Sequence, residues 1–328
     1  MRTDRGFLRL SLVALALLWV IVPSGAIVRL TGSGLGCPDW PLCDGGVVPA
    51  SAGHELIEYG NRVLSAVVFA AAVLTWLVAR GLPGPASGPR RWSAVIAVAT
   101  AGQIPLGAVT VLSGLHPLSV GAHFLLSMVA LAAGTLLALS ARDRARGVER
   151  ATDRRRGPLA IAVGVAMGAM LVTGVLVTAA GPHSGDDDVT NRFGDLLVAA
   201  KVHVRAAFAF TALAVILAAW VWREGGVDRL TRRLSALALA LIAVQIGLGE
   251  YQWRNGLPWE VVVFHVTVAA ALWSVTVAAC AGVVRPAVAA EAYRRRDAAV
   301  WQGTQRIASG SALSRPSGIS PPQSTQIP

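Results

Sequence analysis

Two histidines in long apolar segments are the residues of this sequence best suited to chemistry. His203 stands in "AAKVHVRAAF" and His265 in "EVVVFHVTVAA". An ionisable side chain is costly inside a bilayer, and a neutral imidazole is a common axial ligand of haem iron. Both lie one to two helical turns from the same end of their segments, so the pattern predicts that they hold one haem between them. The alternative is that each is a core histidine hydrogen-bonded to a neighbouring helix.

Two cations, Lys201 and Arg205, flank His203 along the chain. Haem carries two propionates, whose negative charge must be neutralised where water is scarce. We therefore expect these cations to meet the propionates. The alternative is that they extend to the lipid headgroups at the membrane surface.

A second group of candidates lies nearer the N-terminus. His123 occurs in "GLHPLSVGAHFLLSM" and Asn61 in "IEYGNRVLSAV". An amide nitrogen is a poor ligand for iron, so Asn61 is expected to contact a substrate rather than a metal. His54 precedes Asn61 by two helical turns on nearly the same face. It is either a replacement iron ligand or a histidine at the membrane surface.

Glu58 is the acidic residue of greatest interest, because a carboxylate within an apolar segment is heavily desolvated unless it is paired or used. A role as the acid of a site, or as an electrostatic stabiliser, is the sharper hypothesis. Arg62 stands four residues later, so a structural ion pair along one helix face is the alternative. Arg62 is also a candidate for contact with substrate or propionate.

Cys37 and Cys43 lie in "GCPDWPLC", just after the first apolar segment. A loop outside the membrane meets an oxidising compartment, which permits a disulfide between these two cysteines. No third or fourth zinc ligand stands at a suitable spacing nearby. The sequence predicts a disulfide, and free thiols are the alternative.

The elements that must position these residues are membrane-spanning helices. The chain is 54% apolar and only 14% charged, which excludes an ordinary soluble domain. A helix crosses the hydrocarbon core with about 20 residues, and eight runs reach that length. They cover approximately residues 7–28, 56–79, 92–112, 118–140, 158–180, 195–221, 232–252 and 259–284. The predicted fold class is an all-α polytopic membrane protein.

The charge distribution predicts the topology of these helices. The net charge of +11 comes from arginines gathered in alternate loops, so it indicates orientation rather than a nucleic-acid partner. Those loops, and both termini, are expected on the cytoplasmic side of the cell membrane. The other loops are richer in acids. After about residue 285 a segment rich in Ser, Pro and Gly is expected to be a disordered cytoplasmic tail.

An internal repeat links the two groups of candidates. Five residues recur at a constant offset of 142 residues, and the same offset matches Asn61 with His203. The repeat predicts two four-helix bundles, residues 1–142 and 156–285, joined by an arginine-rich linker over 143–155 and followed by the tail 286–328. The five matched pairs are Gln103 with Gln245, Gly107 with Gly249, Gly114 with Gly256, Leu115 with Leu257, and His123 with His265.

The chain resembles the haem A synthases over about residues 20–275. The likeness is carried by "GAIVRLTGSGLGCPDWPLC", "IEYGNR", "GLHPLSVGAHFLLSM" and "GLPWEVVVFH". The resemblance implies that haem O is the substrate and that the methyl group on its ring D becomes a formyl group through two hydroxylations. It further implies a b-type haem on His203 and His265, a substrate haem on His123, and Glu58 as the catalytic carboxylate.

The resemblance also implies partners: a haem O synthase, assembly factors of cytochrome oxidase, and an electron acceptor that the sequence does not identify. This chain departs from the family at Asn61, where a histidine is usual. Either the substrate iron has His123 as its one protein ligand, or His54 replaces the missing one. A membrane cytochrome that only relays electrons, a transporter with a repeated fold, and a structural assembly factor without pigment are the rival functions.

Overall fold

The structure is a computed structural model that describes residues 2–43, 45–49, 53–153, 155–186, 188–190 and 192–286. These residues form eight helices, each long and apolar enough to cross a membrane, so the predicted all-α polytopic fold is confirmed. Within the helices, hydroxyl groups donate back to carbonyl oxygens one turn earlier, which satisfies them without water. The helices are α1 Arg2–Leu30, α2 His54–Arg80, α3 Ser87–Leu112, α4 Pro117–Arg146, α5 Gly157–Ala180, α6 Leu196–Arg223, α7 Arg229–Arg254 and α8 Trp259–Val284.

The same order of packing occurs in each half of the chain. In the first half α1 packs on α2, α2 on α3, α3 on α4, and α4 returns to α1. In the second half α5 packs on α6, α6 on α7, α7 on α8, and α8 returns to α5. Each set of four helices therefore closes on itself as a bundle.

The two bundles share an interface made by α1, α4, α5 and α8. Across it the indole Nε1 of Trp273 in α8 donates a hydrogen bond of 2.8 Å to the backbone oxygen of Met128 in α4. The described residues form one compact unit, so the bundles are parts of one body. The tail predicted to be disordered lies outside the described residues, apart from Pro286.

One end of the molecule, here called the basic end, gathers the arginine-rich connections. Arg144 near the end of α4 forms an ion pair with Asp4 and donates to backbone oxygens of the α2–α3 loop. Arg150, in the linker between the bundles, pairs with Asp143 of α4 and with Asp228, which caps α7. Loops of both halves are therefore joined at this end.

The opposite end, here called the disulfide end, carries the remaining connections. The backbone N–H of Gly34 in the α1–α2 loop donates to the oxygen of Gly185 in the α5–α6 loop, at 2.7 Å. His183 of that loop lies 2.8 Å through its Nε2 from the backbone oxygen of Leu257, and Arg29 of α1 donates to the His183 oxygen. The two halves are thus in direct contact here as well.

Candidate functional site

His203 lies on α6 and is held by a threonine of the neighbouring helix α5. Thr173 Oγ1 donates to the backbone oxygen of Met170 at 2.9 Å and lies 3.1 Å from Nδ1 of His203. A hydroxyl has one proton to donate, so Thr173 must accept the second bond from the Nδ1–H of the imidazole. His203 is therefore the tautomer whose Nε2 carries a free lone pair, which is the form that binds a metal.

His265 lies on α8, in the same bundle as His203. The helix α7 packs on both α6 and α8, which carry the two histidines. Gly249 of α7 lies beside the His265 ring, since a Cβ built on this glycine would be 3.6 Å from Cε1. Nδ1 of His265 is buried without a hydrogen-bond partner among the described residues. Buried polar atoms usually have a partner, so this one is a place where a bound group or a water molecule fits.

His123 on α4 has the same surroundings in the first half. A Cβ on Gly107 of α3 would be 3.5 Å from its Cε1, and its Nδ1 also has no partner in the described part of the chain. Gln103 of α3 donates through Nε2 to the His123 backbone oxygen and to Ser127. The approach of a histidine to a glycine of the preceding helix occurs in both halves.

Asn61 on α2 is hydrogen-bonded to a hydroxyl group of α1, as His203 on α6 is to a hydroxyl group of α5. Ser24 Oγ of α1 lies 3.0 Å from Oδ1 of Asn61 and donates to it. The helix segments are alike too, because Ser24 precedes Gly25 in "SGAIV" and Thr173 precedes Gly174 in "TGVLV". The sequence analysis did not identify the hydroxyl partners. The recurrence of a hydroxyl residue followed by glycine in α1 and α5 was the signal that could have identified them.

Glu58 is buried and both of its carboxylate oxygens are bonded. Oε2 accepts the backbone N–H of Cys37 at 2.7 Å, and Oε1 accepts Arg62 Nη2 at 2.6 Å. Arg62 also donates to backbone oxygens of Cys37, Asp39 and Leu42 in the loop after α1. The ion pair that was the alternative hypothesis for Glu58 is therefore present in the structure, and it fastens this loop to α2.

The loop itself is closed by a disulfide between Cys37 and Cys43, whose side chains are buried. The Glu58–Arg62 pair lies directly beneath it. A carboxylate, a guanidinium and a covalently closed loop thus form one assembly above the first bundle.

Three other predicted site residues lie apart from these groups. His54 is exposed, and its Nδ1 lies 2.8 Å from the buried hydroxyl of Ser33 in the α1–α2 loop. Lys201 and Arg205 are exposed on α6, beside His203 but on the outer faces of the helix. The structure shows no contact between any of these three side chains and the candidate iron ligands His123, His203 and His265.

A cation that the sequence did not single out lies in a pocket at the disulfide end. The pocket has a volume of about 530 Å³ and is bounded by the ends of α5, α6 and α7 and by Leu257. Arg192 lines it and donates to the backbone oxygen of Pro182. The residues Leu196 and Trp253 supply apolar walls. A guanidinium at the mouth of an apolar pocket is suited to an anionic group of a mostly apolar ligand.

The donor set fits haem better than a bare metal ion. In the described residues there is no cluster of three or more His, Cys, Asp or Glu side chains. The candidates are instead single imidazoles on separate helices, each lying beside a glycine, and haem iron needs at most two protein ligands. His203 and His265 would hold a haem in the second half, and His123 would hold one in the first.

The chain was compared with known proteins. A family model described as cytochrome oxidase assembly protein matches residues 8–55 and 51–277. A protein of Symbiobacterium thermophilum named heme A synthase is 31% identical over 258 residues, which cover 73% of this chain and 81% of the relative. Proteins of the same name from Bacillus licheniformis and Bacillus pumilus are 34% and 32% identical over 39% and 40% of this chain.

The matched segments span 42% and 43% of those two Bacillus proteins, less than half of their length. The family model, in contrast, covers most of the chain and all eight helices. The resemblance found in the motifs is thereby confirmed. The chain belongs to the cytochrome oxidase assembly protein family that these heme A synthases represent.

Proposed function

We propose that this protein is a haem A synthase, an oxidoreductase that converts the ring-D methyl group of haem O to a formyl group by two successive hydroxylations. A methyl group would become an alcohol and then a gem-diol, which loses water to give the aldehyde. Each hydroxylation oxidises the carbon by two electrons, which would leave through the second-half haem to the external electron acceptor. Family membership and the relatives that bear this name support the assignment. The observation that carries it is a histidine beside a glycine of the preceding helix in both halves, with His203 on a hydroxyl of α5 in the second and the Glu58–Arg62 pair on the disulfide loop in the first.

The second half would hold a b-type haem. Thr173 keeps His203 in the tautomer that leaves Nε2 free, and His265 of α8 would be the second ligand. When bound, this haem supplies redox capacity, and the protein supplies orientation and a surrounding field. Arg192, Lys201 and Arg205 would be the cations that neutralise its propionates.

The first half would bind the substrate haem O on His123. Glu58 would act as the catalytic carboxylate, by stabilising positive charge that develops near the ring-D methyl or by moving a proton there. Its bonds to Cys37 and Arg62 hold the carboxylate at one position and tie it to the loop. Asn61 and Arg62 would contact the substrate, and the disulfide loop would exclude water from it.

The two halves would derive from one duplicated four-helix unit, with residues 1–142 as the substrate bundle, 143–155 as the linker and 156–285 as the haem b bundle. The shared packing order and the recurring histidine surroundings support this division. We place the protein in the cell membrane with the basic end and both termini in the cytoplasm. A haem O synthase, cytochrome oxidase assembly factors and an electron acceptor would be its partners.

The test is extraction and chromatography of haem from the protein purified from cells that also make haem O. Wild type is expected to yield haem B and haem A. Glu58→Gln is expected to retain haem O or its hydroxylated form, because the amide still accepts the Cys37 N–H but carries no charge. Haem B alone in every sample, with haem O supply verified, would replace this function with that of an electron-relaying cytochrome.

A matched variant separates chemistry from anchoring at Glu58. Arg62→Met removes the bonds to the loop and keeps the carboxylate. If Glu58 is catalytic, Arg62→Met retains part of the haem A yield that Glu58→Gln loses. Equal loss in both variants would show that Glu58 and Arg62 act as one unit, and a separate catalytic role for Glu58 would then be rejected.

A further inference from the structure

Asn61 in the first half stands at the position of His203 in the second. A haem iron in the first half would therefore have no imidazole ligand on that side. Resting on the proposed function, we propose that haem in the first half has His123 as its single protein ligand, and that its opposite face is open to a small external ligand beside Asn61. The matching hydrogen bonds, Ser24 to Asn61 and Thr173 to His203, put the two side chains at equivalent positions.

The space around these side chains differs in the way the proposal requires. In the second half a Cβ on Gly174 would be 3.3 Å from Cε1 of His203, so the imidazole fills the volume beside this glycine. In the first half a Cβ on the equivalent Gly25 would meet nothing within 4 Å. The volume that the His203 imidazole occupies beside Gly174 in the second bundle is therefore open beside Gly25 in the first.

Asn61 does not replace the missing ligand chemically. The lone pair of an amide nitrogen is delocalised into the carbonyl group, so Nδ2 donates hydrogen bonds and does not bind iron. Its Oδ1 already accepts from the Ser24 hydroxyl. The N–H group that is left suits a small ligand with an acceptor atom, such as a diatomic molecule or a compact anion, bound at the open position.

The other candidate ligands near this face are engaged elsewhere. His54 stands two turns from Asn61, roughly 10 Å along the helix, and its Nδ1 is bonded to Ser33 of the α1–α2 loop. Glu58 stands nearer, but its two oxygens are occupied by Cys37 and Arg62. The bond to Ser33 leaves Nε2 of His54 free, so it is the exposure of His54 and its distance from Asn61 that argue against it as the replacement ligand.

Carbon monoxide is the probe for an open coordination position, because it binds reduced haem iron that lacks a second strong protein ligand. We expect reduced wild type, loaded with haem in both halves, to bind about one carbon monoxide for every two haems. Asn61→His is expected to abolish that binding and to convert the spectrum to fully low-spin. The reciprocal change, His203→Asn, is expected to make the second haem bind carbon monoxide as well.

Two further variants keep the result interpretable. His123→Ala is expected to lose the haem that binds carbon monoxide and no other, while Ser24→Ala retains the stoichiometry. Two haems of which neither binds carbon monoxide in wild type would overturn this inference and leave the proposed function standing. A single haem that survives His123→Ala would overturn both, because no haem would then be bound in the first half.

Discussion

In the second half a threonine hydroxyl holds an imidazole, whereas in the first half a serine hydroxyl at the same place holds an amide. The histidines of α4 and α8, His123 and His265, have closely similar surroundings: each packs against a glycine of the preceding helix and leaves Nδ1 unpaired among the described residues. One helical frame thus supports two different side chains at the equivalent position of the second helix. On the proposed assignment, this single exchange would separate a closed haem site from an open one.

The halves also differ above their haem sites. Glu58 and Arg62 of α2 fasten the disulfide loop, but the positions 142 residues later are Ala200 and Val204, and the α5–α6 loop has no cysteine. The second bundle therefore lacks the charged pair and the closed loop. This division agrees with chemistry in the first bundle and electron transfer in the second.

The strongest way to break the comparison is to remove an iron ligand from one half alone. His265→Ala is expected to lower the content of second-half haem to less than about a tenth of wild type, because loss of a direct ligand exceeds the effect of outer contacts. First-half haem should be unchanged. Pyridine haemochrome spectra of purified protein measure both. Phe264→Ala, at an exposed neighbouring position, is the control that should retain all pigment.

The next largest effect is expected from Arg62→Met. Removing one partner of a buried ion pair leaves Glu58 uncompensated, which costs about 3 kcal/mol of the free energy of unfolding. Thermal unfolding in detergent and proteolysis of the α1–α2 loop would measure it. Arg205→Met, an exposed cation near the equivalent turn of α6, should change stability by less than about 0.5 kcal/mol. Similar effects of the two changes would contradict the anchoring role of Arg62.

A smaller effect is expected from the hydroxyl groups of Thr173 and Ser24, which should differ in their influence on the second-half haem. Thr173→Val removes the acceptor of the His203 Nδ1–H, so we expect about tenfold weaker binding of the second-half haem. Its reduction potential should rise, since the imidazole becomes a poorer electron donor, and Thr173→Ser should restore both properties. Haem titration and redox titration are the measurements. Ser24→Ala should leave the reduction potential of the second-half haem unchanged. A shift in this variant would contradict the separate roles of the two hydroxyl groups.

The smallest predicted effect tests the connection between the halves at the basic end. Partial burial opposes ionisation of Asp228, but hydrogen bonds from Thr231 and Arg150 outweigh it and lower the pKa of this carboxyl below its ordinary value. A lowered pKa stabilises the fold at neutral pH, and the contribution disappears as the pH falls below about 4. The pH dependence of thermal unfolding would show this loss.

We expect the contribution of Asp228 to be about 1 kcal/mol, because solvent screens a partly exposed pair. Asp228→Asn should therefore lower stability at neutral pH and flatten its decline in acid. The pKa of Arg150 is raised, since its bonds to Asp143 and Asp228 outweigh its desolvation, so the guanidinium stays charged throughout. An unchanged acid profile in the variant would show that the linker does not depend on this pair.

The sequence by itself determined the eight helices and the histidines worth attention. A run of about 20 apolar residues has few stable alternatives to a spanning helix, and ionisable groups within such runs are few enough to be conspicuous. The recurring Gln, Gly and His positions also predicted that His123 and His265 would have like surroundings. All of these follow from spacing along one helix, which is visible in the chain itself.

Only the tertiary structure decided which groups on different helices meet. Contacts such as Thr173 with His203, Ser24 with Asn61 and Glu58 with the Cys37 N–H depend on how far two helices approach and how each is rotated about its axis. That rotation is set by the packing of many side chains at once, and no short motif encodes it. The hydroxyl partners and the anchoring of Glu58 were therefore beyond the reach of spacing alone.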